Sequence, residues 1–131
     1  MAELLKKDYV TVSFEEEIKA LYVMWSGFGY TSEQYKEVWE ICIAYGENNK
    51  VDYFLSDITN QKVVNPDDRK WFEEVAFPRA VKTGLKKGAT IVGANPFTRF
   101  YINNIMKKIG GTSLPFKAFK NKEEAFKWFV S

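Results

Sequence analysis

The sequence predicts a single α/β domain over residues 1–131, built on a mixed β-sheet. Segments of alternating or wholly apolar character take turns with segments whose apolar positions recur at helical spacing. The first two strand-like segments are separated only by a short acidic turn, so a hairpin opens the chain. The composition, 131 residues with 46% hydrophobic and 27% charged side chains, fits one globular domain, and the chain shows no repeat, linker or low-complexity tract. The expected order is β-β-α-β-α-β-α-β-α, with right-handed helical crossovers joining parallel strands and the hairpin adding an antiparallel pair.

In the first strand Val10, Val12 and Phe14 alternate with Tyr9, Thr11 and Ser13, the period of a half-buried strand, and this strand is expected at the edge of the sheet. Glu15-Glu16-Glu17 turn the chain into Ile18–Trp25, which is nearly all apolar and therefore expected inside the sheet. Thr31 with Gln34 is a capping-box pair. It opens a helix over about Ser32–Asn48 with Tyr35, Val38, Trp39, Cys42 and Tyr45 on its inner face. Val51–Ser56, ending in Asp57, reads as a buried parallel strand. Asn65-Pro66-Asp67-Asp68 then supplies an N-cap, a first-turn proline and carboxylates over the positive end of the helix dipole. Trp71, Phe72, Val75 and Ala76 form the inner face of this second helix; Pro78 predicts a kink or break near Phe77, and Gly84 ends it. Ala89–Gly93 is the next buried strand. After Ala94-Asn95-Pro96 a helix turns Tyr101, Ile102, Ile105, Met106 and Ile109 inward and stops at Gly110-Gly111. Leu114–Phe119 is the last strand. Asn121 with Glu124 opens a final helix that packs Ala125, Trp128 and Phe129.

Composition narrows the chemistry. With no histidine, the chain has no imidazole base, no Ser/His/Asp or Cys/His arrangement and no histidine-ligated metal. Cys42 is the only cysteine, so neither an intrachain disulfide nor a cysteine zinc site forms, and its place on an inner helix stripe predicts a packed, inert thiol. No residue pattern calls for a cofactor, and none is expected. The longest apolar run, Ala20–Trp25, is strand-length rather than membrane-spanning, and no secretory signal stands at the N-terminus, so a cytoplasmic address is expected. The net charge of +2 is unevenly divided. Residues 1–65 carry 6 basic and 11 acidic side chains, residues 66–131 carry 13 and 6. Ordinary surface ion pairs account for such a split, as would head-to-tail self-association or an acidic partner. Nucleic acid is not expected, because no reading helix or stacking motif accompanies the C-terminal lysines.

Open α/β sheets bind ligands beyond the carboxyl ends of their parallel strands. Two such ends are informative: Ser56-Asp57-Ile58-Thr59-Asn60 and Gly93-Ala94-Asn95-Pro96. Ser56, Asp57, Thr59, Asn95, Phe97 and Arg99 are therefore the candidate contacts for a ligand or partner. The alternative is that Asp57 and Asn95 merely cap loops through side-chain to backbone hydrogen bonds. No glycine-rich cradle for phosphates follows any strand. Arg99, in the first turn of its helix, is the best anion contact. Phe28, Tyr30 and Phe97 lie in or beside loops, where with Trp25 they suit an apolar ligand or partner.

Several local sequences, in this order, resemble a known group. They are Trp25-Ser26-Gly27, Leu55-Ser56-Asp57, Asn65-Pro66-Asp67-Asp68 with Trp71, Pro78 followed by Gly84, and the ending Glu124-Ala125-Phe126-Lys127-Trp128. Over about residues 18–131 the chain resembles the SpoIIAA-like proteins of the STAS/SEC14 superfamily, in an uncharacterised bacterial branch. The resemblance implies a STAS-like domain that acts without catalysis, by binding a protein partner or forming a homodimer in regulation. Its SEC14-like side implies a small-molecule or lipid carrier with an apolar pocket. Anti-sigma-factor antagonists of this group are switched by phosphorylation of a serine that opens the second helix. Here that position reads Asn65-Pro66-Asp67-Asp68, without a hydroxyl.

Overall fold

The hairpin forms as expected, with β2 (Val10–Glu15) antiparallel to β3 (Ala20–Trp25) and Lys19 taking a left-handed φ of 59° in the turn. The structure, a computed structural model, describes residues 2–27, 29–61, 64–92 and 114–131. The helix expected after Pro96 and the candidates Asn95, Phe97, Arg99 and Phe28 lie outside the described residues.

One strand precedes the hairpin. Residues Ala2–Lys7 form β1, which pairs antiparallel with β2, so β2 is interior and β1 takes the edge. The sequence hid this strand because its two leucines are adjacent rather than alternating. The register shifts between Glu3 and Leu5, a bulge that lets both Leu4 and Leu5 reach the core. Glu3, Lys6 and Lys7 are exposed along it, and charge on an edge strand discourages pairing with another chain.

The sheet runs β1-β2-β3-β4-β5-β6, with β4 at Tyr53–Asp57, β5 at Lys87–Ile91 and β6 at Phe116–Phe119. The four strands from β3 onward are mutually parallel, which makes the sheet mixed. Register places Val23 beside Ser56 and Ser56 beside Thr90, while Met24, Asp57, Ile91 and Phe119 form the neighbouring row. Because side chains alternate across a strand, these two rows face opposite sides of the sheet.

Helix α1 spans Ser32–Asn48, opened by the complete Thr31/Gln34 capping box, and buries Tyr35, Val38, Trp39, Cys42 and Ile43 against one face of the sheet. Tyr45, expected inward, is only half-buried. A second helical stretch packs on the same face: α2 (Pro66–Trp71), a π turn (Phe72–Ala76) and α3 (Phe77–Lys82), continuous in helical backbone. The break expected near Phe77 takes the form of this π turn. Pro78 has no N–H and its ring would strike the carbonyl four residues back in a regular helix. Immediately before it the Phe77 N–H reaches back five residues to the Phe72 carbonyl. The extra residue shifts the helical phase. Val75, expected inward, is 40% exposed; Ala76 is buried as expected, and Phe77 is buried beside it.

The opposite face is covered by α4 (Lys122–Phe129), whose N-cap Asn121 accepts from the Glu124 N–H. Ala125 and Phe129 fill the space over Ala20, Leu55, Ala89 and Ile91. Among the described residues, helices thus lie on both faces of the sheet, α1 and the α2–α3 stretch on one side and α4 on the other.

Candidate functional site

Strand alternation and helix placement decide where the candidate residues go. Ser56 and Asp57 are consecutive, so they turn to opposite faces: Ser56 toward α1 and α2, Asp57 toward α4. They do not line one pocket together.

On the α4 side, the Asp57 carboxylate accepts from the Thr59 backbone N–H at 3.0 Å, a local loop cap. Its second oxygen accepts from the Tyr22 hydroxyl at 3.4 Å. Burial, followed by the Asp57 charge, pushes the Tyr22 phenol up to about 12. Thr59 itself is exposed. Asp57 thereby does the capping work that the sequence offered as the alternative to ligand contact.

On the other side lies a cavity of about 80 Å³ between the sheet and the α1/α2–α3 layer. Its floor takes the row Leu21, Phe54, Gly88 and Phe116, with Ser56 and Thr90 from the next row on the same face. Gly88 makes room here: a Cβ at that position would lie 2.9 Å from the Phe116 ring, so the glycine lets that ring cross the strand. From the helices come Tyr35, Trp39, Cys42, Phe72 and Phe77, and Trp25 enters from the end of β3. No charged side chain belongs to the wall among the described residues.

The few polar groups in the wall are instructive. Thr90 Oγ1 donates to the Ser56 carbonyl at 3.0 Å, and Thr83 Oγ1 donates to the Ala80 carbonyl at 2.7 Å. Cys42 is buried, and desolvation pushes its thiol up to about 12, so it is inert as a nucleophile at neutral pH. Trp25 and Trp39 are 1% and 6% exposed, and the indole N–H of each is buried without an acceptor among the described residues. A buried donor left unpaired costs roughly 1–3 kcal/mol, so two in one wall are a marked exception to ordinary packing.

A polar clasp stands at the helix starts of the same layer. The N-termini of α1 and α2 meet there. The Asp68 carboxylate, 4% exposed, accepts from Ser32 Oγ and from Asn65 Nδ2, each at 2.9 Å. Asn65 Oδ1 in turn accepts from the Asp68 N–H at 2.8 Å. Asp68 thus ties two helix starts together and sits at the positive ends of both dipoles. Tyr30 lies close by, its phenol pushed up to about 12 chiefly by burial; a hydrogen bond with Gln61 works in the opposite direction and the Asp68 charge adds to the rise. Gly27, with φ of 96°, brings the loop before α1 against the Asn60 carbonyl, where a Cβ would approach to 2.9 Å.

Sequence reasoning placed Trp25 near an apolar site but did not single out Trp39, Gln61 or Ser32. The helical spacing of Trp39 marks only an inner face; that its N–H lacks an acceptor depends on neighbours from the π turn and β4. Among the described residues, no cluster of side chains suits a metal ion and no helix is long and apolar enough to cross a membrane. No protein-family model, curated protein or solved structure matches the chain.

Proposed function

We propose that this chain is a non-catalytic binding protein that holds a small, largely apolar molecule between its sheet and the α1/α2–α3 layer. The observation that carries this reading is the cavity itself: about 80 Å³, walled by aromatic and aliphatic side chains and free of charge among the described residues. Its volume is about half that of a roughly 150 Å³ apolar cavity known to take up benzene, which points to a molecule of a few heavy atoms and away from a long acyl chain. A STAS/SEC14-like descent fits this use, since the resemblance implies an α/β domain with a mixed sheet, and the cavity lies between helices and sheet. Native mass spectrometry of the purified chain, with thermal shifts against a panel of small apolar compounds, tests the proposal. A bound mass or a saturable rise in Tm supports it. No bound mass together with a flat panel refutes it.

A second reading, a regulatory domain that binds an acidic protein surface or a second copy of itself, draws on a different observation. Lys87 and Lys117 lie over the Trp128 ring at 5.0 and 5.3 Å, and Lys120, Lys122 and Lys127 extend the same side of the molecule. The exposed Glu33, Glu37 and Glu47 stand on α1, across the sheet. Sedimentation at micromolar concentration distinguishes the cases: a dimer that salt dissociates supports self-association, and a monomer at low salt removes it.

A further inference from the structure

Deepening the self-association reading, on which it rests, we propose that copies of this chain dock head to tail, the acidic stripe of α1 in one copy against the Trp128 face of α4 and β6 in the next. Glu33, Glu37, Glu40 and Glu47 recur at helical spacing, with exposed Ala44 between the last two, so they share one side of α1. The buried Tyr35, Val38, Trp39 and Cys42 take the other side, which turns the stripe away from the sheet. From Glu33 to Glu47 it runs about 21 Å. The stripe is poorly neutralised by its own molecule. Arg79 holds Glu40, with Nη1 2.6 Å from Oε1, and its charge also reaches Glu47, while Lys36 is drawn over the Trp71 ring at 5.7 Å. Glu33, Glu37 and Glu47 form no ion pair among the described residues. Glu33 and Glu37 are like charges four residues apart, and Glu47 lies in the last turn, where the dipole disfavours a carboxylate and α1 has no basic residue. Cations from outside the molecule relieve each of these costs.

The opposite face carries those cations. Lys87 and Lys117 stand over the half-buried Trp128 ring, and Lys120 and Lys127 are exposed on the same side. Lys87 is engaged, donating to the Trp128 carbonyl at 2.8 Å, but Lys117, Lys120 and Lys127 form no ion pair among the described residues. Residues 93–113 contain no aspartate or glutamate to neutralise them. Glu123 and Glu124 stand in the first turn of α4, where the positive end of the dipole holds them. Shape agrees with charge: small Ala44 leaves a gap between Glu40 and Glu47, a seat for the open part of the Trp128 ring with its lysines against the carboxylates. An unrelated acidic protein would answer the lysines and leave the α1 stripe unanswered, whereas a second copy answers both. The two faces lie on opposite sides of the sheet, so each docking leaves one of each kind free and further copies can add.

The test is sedimentation of the full chain and of two exposed-surface variants. At about 50 μM protein and about 20 mM salt, the weight-average mass should rise past that of a dimer; in about 1 M salt, where screening leaves charges a reach of roughly 3 Å, it should fall to the monomer. One variant, Glu33→Gln with Glu37→Gln and Glu47→Gln, loses the acidic face; the other, Lys117→Gln with Lys120→Gln and Lys127→Gln, loses the basic face. Each alone should stay monomeric at low salt. Mixed in equal amounts, they should form a one-to-one pair that grows no further, because each brings a single working face. A salt-sensitive dimer of the natural chain that stops at two, or association that survives in either variant, overturns head-to-tail docking and leaves self-association standing. A natural chain that stays monomeric at low salt overturns both, and polyglutamate then decides what remains: binding that the lysine variant loses leaves the acidic-partner reading, and no binding removes that as well. If a variant fails to fold, the growth of the natural chain past a dimer and its loss in salt still decide.

Discussion

Replacing Asp68 with Ala should unfasten the clasp that holds the starts of α1 and α2 together. The carboxylate is 4% exposed and accepts two hydrogen bonds at 2.9 Å, from Ser32 Oγ and Asn65 Nδ2. Hydrogen bonds to a charged group are worth roughly 1.5–3 kcal/mol each, and a carboxylate in the first helical turn adds about 0.3–1 kcal/mol. Part of this is recovered in the variant. Asn65 Nδ2 already reaches Ser32 Oγ at 3.2 Å, and Ser32 is exposed enough to turn to water. The net loss should be about 2–4 kcal/mol, and at this chain length each kcal/mol lowers Tm by roughly 3–5 °C. Asp68→Asn, which keeps the shape and one acceptor, should lose about half as much. Urea denaturation followed by circular dichroism measures both, with the m-value as a check that the unfolded reference is unchanged. A loss below about 0.5 kcal/mol for Asp68→Ala, the range of an ordinary surface change, refutes the clasp.

Three further outcomes follow from particular side chains. Gly88→Ala places a Cβ 2.9 Å from the Phe116 ring, so that ring must shift, and thermal denaturation should show a loss of about 1–3 kcal/mol, the usual range for overpacking. The Cys42 thiol, raised from an ordinary value of 9 to about 12, should be about a thousandfold poorer in thiolate than in the unfolded chain; Ellman's reagent at pH 8 should therefore react slowly until urea exposes it. Tyr22 and Tyr30, both raised from 10 to about 12, stay protonated in the fold where the unfolded chain has begun to ionise. Stability is then fully present below pH 10 and is lost as pH rises from 10 toward 12; Tyr22→Phe should flatten that slope in denaturation curves taken across this range.

The parts of the fold set by local pattern were legible in the sequence. The Thr31/Gln34 box, the Asn65-Pro66 opening and the Asn121 cap all follow from side chains that bond backbone groups three residues away, and each helix begins where they put it. The β1 strand was not legible, because its bulge removes the alternation that announces a strand. The exposure of Val75 was hidden for a related reason: a π turn changes the helical period within one segment, and a fixed spacing carries the pattern past it out of phase. For the site, strand ends drew attention to Ser56 and Asp57 as a pair, yet adjacency in a strand separates two side chains by the thickness of the sheet. The indole donors of Trp25 and Trp39 belong to a different order of information. Their significance is the absence of an acceptor, which depends on how β3, α1 and α2 come together rather than on any run of residues.

The most direct test of the cavity reading is a crystal of the chain pressurised with xenon, an atom that settles in apolar cavities with no polar recognition. Xenon density between the sheet row at Phe54 and the helix residues Trp39 and Phe77 is the predicted result. Diffraction that shows the wall closed by side chains, with xenon elsewhere or nowhere, contradicts it.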